Sequence, residues 1–120
     1  MQDLIRTMKA LSDETRLRIM NILMERDCCV CEVVQALNIS QTRASRNLGI
    51  LQKAGFLKTM REGLWIVYSI DWETNNQYVN SLKQLFQKFS VNSDVSKKDR
   101  ENLKHAQRIG PGCKTKAIDA

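Results

Sequence analysis

Ile39-Ser40-Gln41-Thr42-Arg43-Ala44-Ser45-Arg46-Asn47-Leu48-Gly49-Ile50-Leu51-Gln52-Lys53-Ala54-Gly55 decides how this 120-residue chain reads. Ser40 is a helix-capping residue, and Gly55 is suited to ending a helix. Between them each residue advances the helix by about 100°. Ala44, Leu48 and Leu51 then share one face and are expected on a core. Thr42, Arg43 and Arg46 share the opposite face, with Ser45 at its margin. Hydroxyl and guanidinium groups near the amino end of a helix are the groups that meet base edges and phosphates in a major groove. A solvated polar face is the plainer reading of such a helix in isolation. The flanking segments decide between the two.

Upstream, Val30, Val33, Val34 and Leu37 fall at helical spacing, Asn38 breaks the period and Ile39 fills a turn. A short helix, a tight turn and a longer helix make a helix-turn-helix. Downstream, Leu57–Arg61 and Leu64–Ile70 read as strands, the second rich in Trp65, Ile66, Val67, Tyr68 and Ile70. Glu62 and Gly63 are expected at the hairpin turn. A hairpin after a helix-turn-helix is a wing, where Lys58 and Arg61 can reach backbone or minor groove. The predicted nucleic-acid contacts are therefore Ser40, Gln41, Thr42, Arg43, Ser45, Arg46, Lys58 and Arg61.

Further out, Leu4, Ile5, Met8 and Leu11 predict an amphipathic helix. Ser12 is expected to cap the next one, with Asp13 and Glu14 in its first turn. Leu17, Ile19, Met20, Ile22, Leu23 and Met24 make that second helix the centre of the core. Tyr78, Val79, Leu82, Leu85, Phe86 and Phe89 form a later helical stripe. The predicted fold is mainly α with a small β-hairpin, in the order α-α-α-α-β-β-α. Residues 1–92 form the winged helix-turn-helix and dimerisation domain. Residues 93–120 read as a polar, mobile tail in which Leu103 can anchor only a loose helix. A domain this small leaves apolar surface uncovered on its terminal helices, the first and last amphipathic ones, which suits burial against a second copy.

Lysine and arginine number 19 against 13 acids, a formal charge of +6, which suits a polyanionic partner. No apolar run approaches the roughly 20 residues of a membrane span. The first eleven residues lack a signal-peptide core, so a cytoplasmic protein with no membrane partner is expected. Nothing resembles a nucleophile triad, a phosphate-cradling loop or a paired-acid site, and no organic cofactor or enzymatic activity is expected.

Cys28, Cys29 and Cys31 crowd into four positions, a poor disulfide framework but a plausible soft-ion site. In a regular helix Cys28 and Cys31 face one side, while Cys29 and Cys31 stand about 200° apart. Three sulfurs on one ion therefore require an irregular helix start. Cys113, near the end of the chain, is the other possible third ligand. His105 is expected to be solvated.

Ala10-Leu11-Ser12-Asp13-Glu14-Thr15-Arg16-Leu17-Arg18-Ile19 resembles the opening signature of the arsenical-resistance repressor (ArsR/SmtB) family. Ile39–Leu48 is similar to its recognition-helix motif, and Leu51, Ala54-Gly55 and Arg61-Glu62-Gly63-Leu64-Trp65 continue in register. The resemblance covers roughly residues 5 to 90. It implies a homodimeric repressor that holds double-stranded operator DNA until a metal or metalloid releases it. Asp27-Cys28-Cys29-Val30-Cys31-Glu32-Val33 resembles the family's thiophilic-ion box, with Cys29 and Cys31 at its two cysteines. The third cysteine that some members carry is replaced by Val34. The implied inducer is trivalent arsenic or antimony, with cadmium or lead as alternatives.

Three rivals follow from the same residues. Cys28 and Cys31 form a Cys-x-x-Cys pair, but without the parallel sheet of a thiol oxidoreductase. The cysteines can instead serve a redox-sensing repressor. The fold can also serve as a protein-interaction module, against which the basic free face argues.

Overall fold

Ile19, Met20 and Ile22 have no exposed surface, and the molecule is built around the helix that carries them. The computed structural model describes residues 1–88 and 93–109. That central helix is α2 (Glu14–Glu25), preceded by α1 (Gln2–Leu11). A two-residue strand β1 (Cys28–Cys29) leads into α3 (Val30–Leu37) and α4 (Gln41–Lys53). The wing is β2 (Leu57–Glu62) and β3 (Trp65–Ile70), followed by α5 (Gln77–Lys88) and α6 (Asp94–His105).

Val33, Leu48, Leu51 and Phe56 complete the core around α2. Each such buried side chain contributes about 1.5–3 kcal/mol over its exposed state. The element boundaries follow from local chemistry. Asn38 ends α3 in the left-handed region at φ 56°, a conformation its short polar side chain tolerates. Ser40 accepts from the Arg43 N–H at 3.1 Å and so starts α4. Gly55, at φ +96°, closes it.

Two boundaries differ from expectation by one residue. Asp13, not Ser12, caps α2 by accepting from the Arg16 N–H. Ser12 ends α1 instead, its hydroxyl donating to the Met8 carbonyl. The hairpin pairs Glu62 with Trp65, so its central residues are Gly63 and Leu64. Gly63 has φ +62° and Leu64 is not among the positive-φ residues. Glycine first with the positive φ is the type II′ pattern, which matches the twist of paired strands.

Two elements are new relative to the expected order. β1 adds to the outer edge of β3, pairing Cys28 with Tyr68 and Cys29 with Val67, so the sheet runs β1-β3-β2. Residues 94–105 are a docked helix rather than part of a polar tail. α6 lies against α2 and α3, and Ser96, Asp99 and Leu103 are buried there. Asp99 forms two 2.9 Å bonds with the Arg18 guanidinium. Arg18 also donates to the Leu37 carbonyl, and Asn102 Nδ2 donates to the Ala36 carbonyl. The periodicity of apolar residues is blind to a helix held by such polar contacts. Phe89 and Cys113 lie outside the described residues. No described helix is long and apolar enough to cross a membrane.

Candidate functional site

The outward face of α4 carries Thr42, Arg43, Ser45 and Arg46, all exposed, while Ala44, Asn47, Leu48 and Leu51 are buried. Gln41 is half-buried and Ser40 exposed at the helix start. Lys58 and Arg61 are exposed on β2. All eight residues predicted to meet nucleic acid thus lie on α4, at its start or on the wing, and none is buried. Arg43 is additionally tethered: its Nη2 donates to Thr15 Oγ1 at 2.6 Å. Tethering fixes the guanidinium before any ligand arrives and lowers the ordering cost of a contact.

A polar brace beneath α4 was not foreseen from sequence. Arg16 donates to the Ala10 carbonyl at 2.6 Å and to Asn47 Oδ1 at 2.8 Å. Asn47 Nδ2 in turn donates to the Arg43 carbonyl. One guanidinium therefore ties α1, α2 and α4 together, and fixes the pitch of the exposed face. An amide at a buried helical position, which calls for a partner, is the signal that points to it.

The cysteines sit one helix earlier. Cys29 is extended, at φ −85° and ψ 171°, and forms the cap of α3 rather than its first turn. This is the irregular helix start that convergence of sulfurs requires. The Cys29 and Cys31 sulfurs come within 2.9 Å, both residues buried against Trp65. Cys28 does not join them. Alternation along β1 turns it to the opposite side, into the main core, where its thiol faces the Arg26 carbonyl at 3.6 Å. Among the described residues no three His, Cys, Asp or Glu side chains are arranged to hold an ion. The expected trio of Cys28, Cys29 and Cys31 is therefore reduced to a pair.

Glu32 organises this pair. Its Oε1 accepts from the Cys29 N–H at 2.9 Å, and its own N–H faces the Cys29 sulfur, a reciprocal cap. Its Oε2 takes a 2.6 Å bond from Arg26, and Arg108 lies 3.5 Å away. Burial works against the Glu32 charge, but the Arg26 bond and the Cys29 N–H outweigh it and lower the pKa. Burial, and then the Glu32 charge, push the Cys28 thiol up to about 12. Burial, reinforced by that charge and eased by the Glu32 N–H, brings Cys29 to about 11. Both thiols accordingly hold their protons near neutrality. Glu32 lies three residues after the cap, the capping-box position, and that spacing is its sequence signal. The Trp65 Nε1 is buried with no hydrogen-bond partner among the described residues.

A sequence profile of the bacterial regulatory protein, arsR family, matches residues 13–59, which span α2 through the start of the wing. The arsenical resistance operon repressor of Bacillus subtilis is 34% identical over 82 residues, covering 67% of this chain and 78% of that protein. The chain belongs to the ArsR family. A cadmium resistance transcriptional regulatory protein CadC homolog of Staphylococcus aureus is 38% identical over 78 residues, 64% of each chain. The homodimeric winged helix-turn-helix DNA-binding domain of a possible ArsR-family regulator from Mycobacterium bovis matches with TM-score 0.61 and 30% identity. That match covers 72% of this chain and 77% of the other. The chain spans about three fifths of the length of several curated relatives. The matched family and its named relatives are transcriptional regulators, which argues against the thiol oxidoreductase.

Proposed function

We propose that this ArsR-family chain is a DNA-binding repressor that leaves its operator when trivalent arsenic or antimony engages Cys29 and Cys31. The observation that carries the reading is the buried convergence of these two sulfurs at the start of α3, the helix before the one that exposes Arg43 and Arg46. Any rearrangement of the α3 start is passed through a short, tight turn to α4.

The chemistry of the pair favours a neutral hydroxide over a divalent cation. Trihydroxo-arsenic condenses with two thiols as As(OH)3 + 2 R–SH → (R–S)2As–OH + 2 H2O. The thiol protons leave in water, and no charge is added to the pocket. Cadmium or lead must first expel thiol protons, and burial holds the Cys29 proton on, with a pKa of about 11. A divalent ion also wants more donors than one sulfur pair supplies. A third sulfur on arsenic would come from Cys113, which lies outside the described residues.

The protein acts as a homodimer in this reading. Ile5 and Met8 on α1, and Tyr78 and Leu85 on α5, are exposed, and these two helices touch. They offer exposed apolar side chains to a second copy. Phe86, expected in that interface, is instead buried within its own chain.

The test is release from a duplex selected by the wild-type chain out of a random pool, titrated under reducing conditions with arsenite, antimonite, cadmium and lead. Arsenite and antimonite should release wild type but not Cys29→Ser or Cys31→Ser, whose ion-free DNA affinity should be unchanged. Release of either variant by arsenite would overturn the assignment. A redox-sensing reading has one observation in its favour, the 2.9 Å approach of the Cys29 and Cys31 sulfurs. It requires peroxide to release the duplex as effectively as arsenite does.

A further inference from the structure

The last described residues, 106–109, leave α6 and cross the thiol pair, and they touch both α3 and the wing. Gln107 and Gln35 of α3 exchange hydrogen bonds. The Gln107 N–H donates to Gln35 Oε1 at 3.0 Å, and Gln35 Nε2 donates to the Gln107 carbonyl at 2.6 Å. The same carbonyl lies 3.8 Å from the Cys31 sulfur. Arg108 then reaches in both directions. Its Nε is 3.5 Å from Glu32 at the α3 start, and its Nη2 is 3.5 Å from Glu62 at the end of β2. Its guanidinium also lies 5.9 Å from the Trp65 ring at the start of β3. Arg26 secures the root of this crossing by donating to the Leu103 and Ala106 carbonyls, the end of α6 where cations are favoured.

We propose that Arg108 is a positioning residue that clasps the wing to the thiol-bearing start of α3, and so holds the ion-free chain in its DNA-competent arrangement. The inference rests on the sensing reading given above. A planar fork between two carboxylates from different elements, with an aromatic face beneath it, fixes their separation in a way a point charge does not. Glu32 also holds the Cys29 backbone, so displacing Cys29 displaces one of the two carboxylates that Arg108 spans. The wing then loses its attachment when the pair is engaged.

This predicts opposite movements in two affinities, because a ligand shifts an equilibrium only by its preference for one state. Loosening the clasp disfavours the DNA-competent arrangement and favours the ion-competent one. Arg108→Gln, in the full chain, should bind the selected duplex several-fold more weakly. In the absence of DNA it should bind arsenite several-fold more tightly, measured by calorimetry on reduced protein. Glu62→Gln removes the wing end of the clasp without touching the thiol pocket and should move both affinities in the same directions. The double variant should add little to either single change. A merely structural loss would weaken both affinities and lower the melting temperature. Variants that leave both affinities unchanged, or lower both, overturn the clasp. Running Cys29→Ser beside them separates the two ideas. If it still releases DNA with arsenite, the sensing reading fails. If it does not release and Arg108→Gln is silent, only the clasp fails.

Discussion

Helices α4 and α6 both display polar and charged side chains, yet they are held to the core by opposite means. α4 is seated by Ala44, Leu48 and Leu51 and leaves its arginines facing out. α6 buries little apolar surface beyond Leu103 and is seated by a paired Asp99 and by Asn102. A helix docked by an apolar stripe is free to spend its polar face on a partner. A helix docked by ion pairs has spent part of that face on its own chain, and removing one charge leaves the other stranded.

Breaking that contrast from the α4 side should give the largest effect. Replacing Arg43 and Arg46 together by alanine should lower duplex affinity on the order of 100-fold, given about 1–3 kcal/mol for a good guanidinium–base contact. The melting temperature should fall only by what the Arg43–Thr15 hydrogen bond contributes, about 1 kcal/mol, since both arginines are otherwise exposed. An unchanged affinity in a binding titration would remove α4 as the reading element. From the α6 side, Asp99→Ala should cost about 2–3 kcal/mol of unfolding free energy. That is somewhat under the cost of stranding a fully buried partner, because Arg18 keeps 20% of its side chain in solvent. Denaturant melts measure it, and an unaltered midpoint would mean that the pair does not seat α6. Chemistry inside the pocket gives a third contrast. Cadmium bound to the pair should release protons, whereas arsenite should release none. Calorimetry repeated in buffers of different ionisation enthalpy distinguishes the two.

A smaller effect concerns pH. The pKa of Glu32 is lowered in the folded chain, so its contribution is fully present above the unfolded value of 4.5 and is lost as pH falls through the folded one. Wild type should lose more stability than Glu32→Gln between about pH 5 and about pH 3. Parallel melting curves for the two proteins would contradict this. Smallest of all is the exposed Lys104–Glu101 pair on α6. Its removal should change stability by no more than about 0.5 kcal/mol.

Legibility from sequence follows the same divide. Where apolar side chains recur with a helical period, as in α1 through α5, the elements are readable, and Asn38, Ser40 and Gly55 mark their ends. β1 escapes because two residues carry no periodicity. It matters out of proportion to its length, since it takes Cys29 out of the helix and sends Cys28 to the core. α6 escapes because Asp99 and Asn102 read as surface residues until their partners on α2 and α3 are known. The cysteine cluster is legible as a sensing candidate from its crowding alone. Which sulfurs converge is not, because that depends on the strand-to-helix change at Cys29.

Trp65 gives the pocket an optical signature of its own. Its indole rests on the sulfur pair, while Trp72, the second tryptophan, stands half in water. The two rings should emit at different wavelengths, the sheltered one to the blue. A heavy atom arriving at Cys29 and Cys31 should dim the blue component and spare the red. Unlabelled protein can thus report occupancy of its own pocket in real time, with Trp72 as the internal standard.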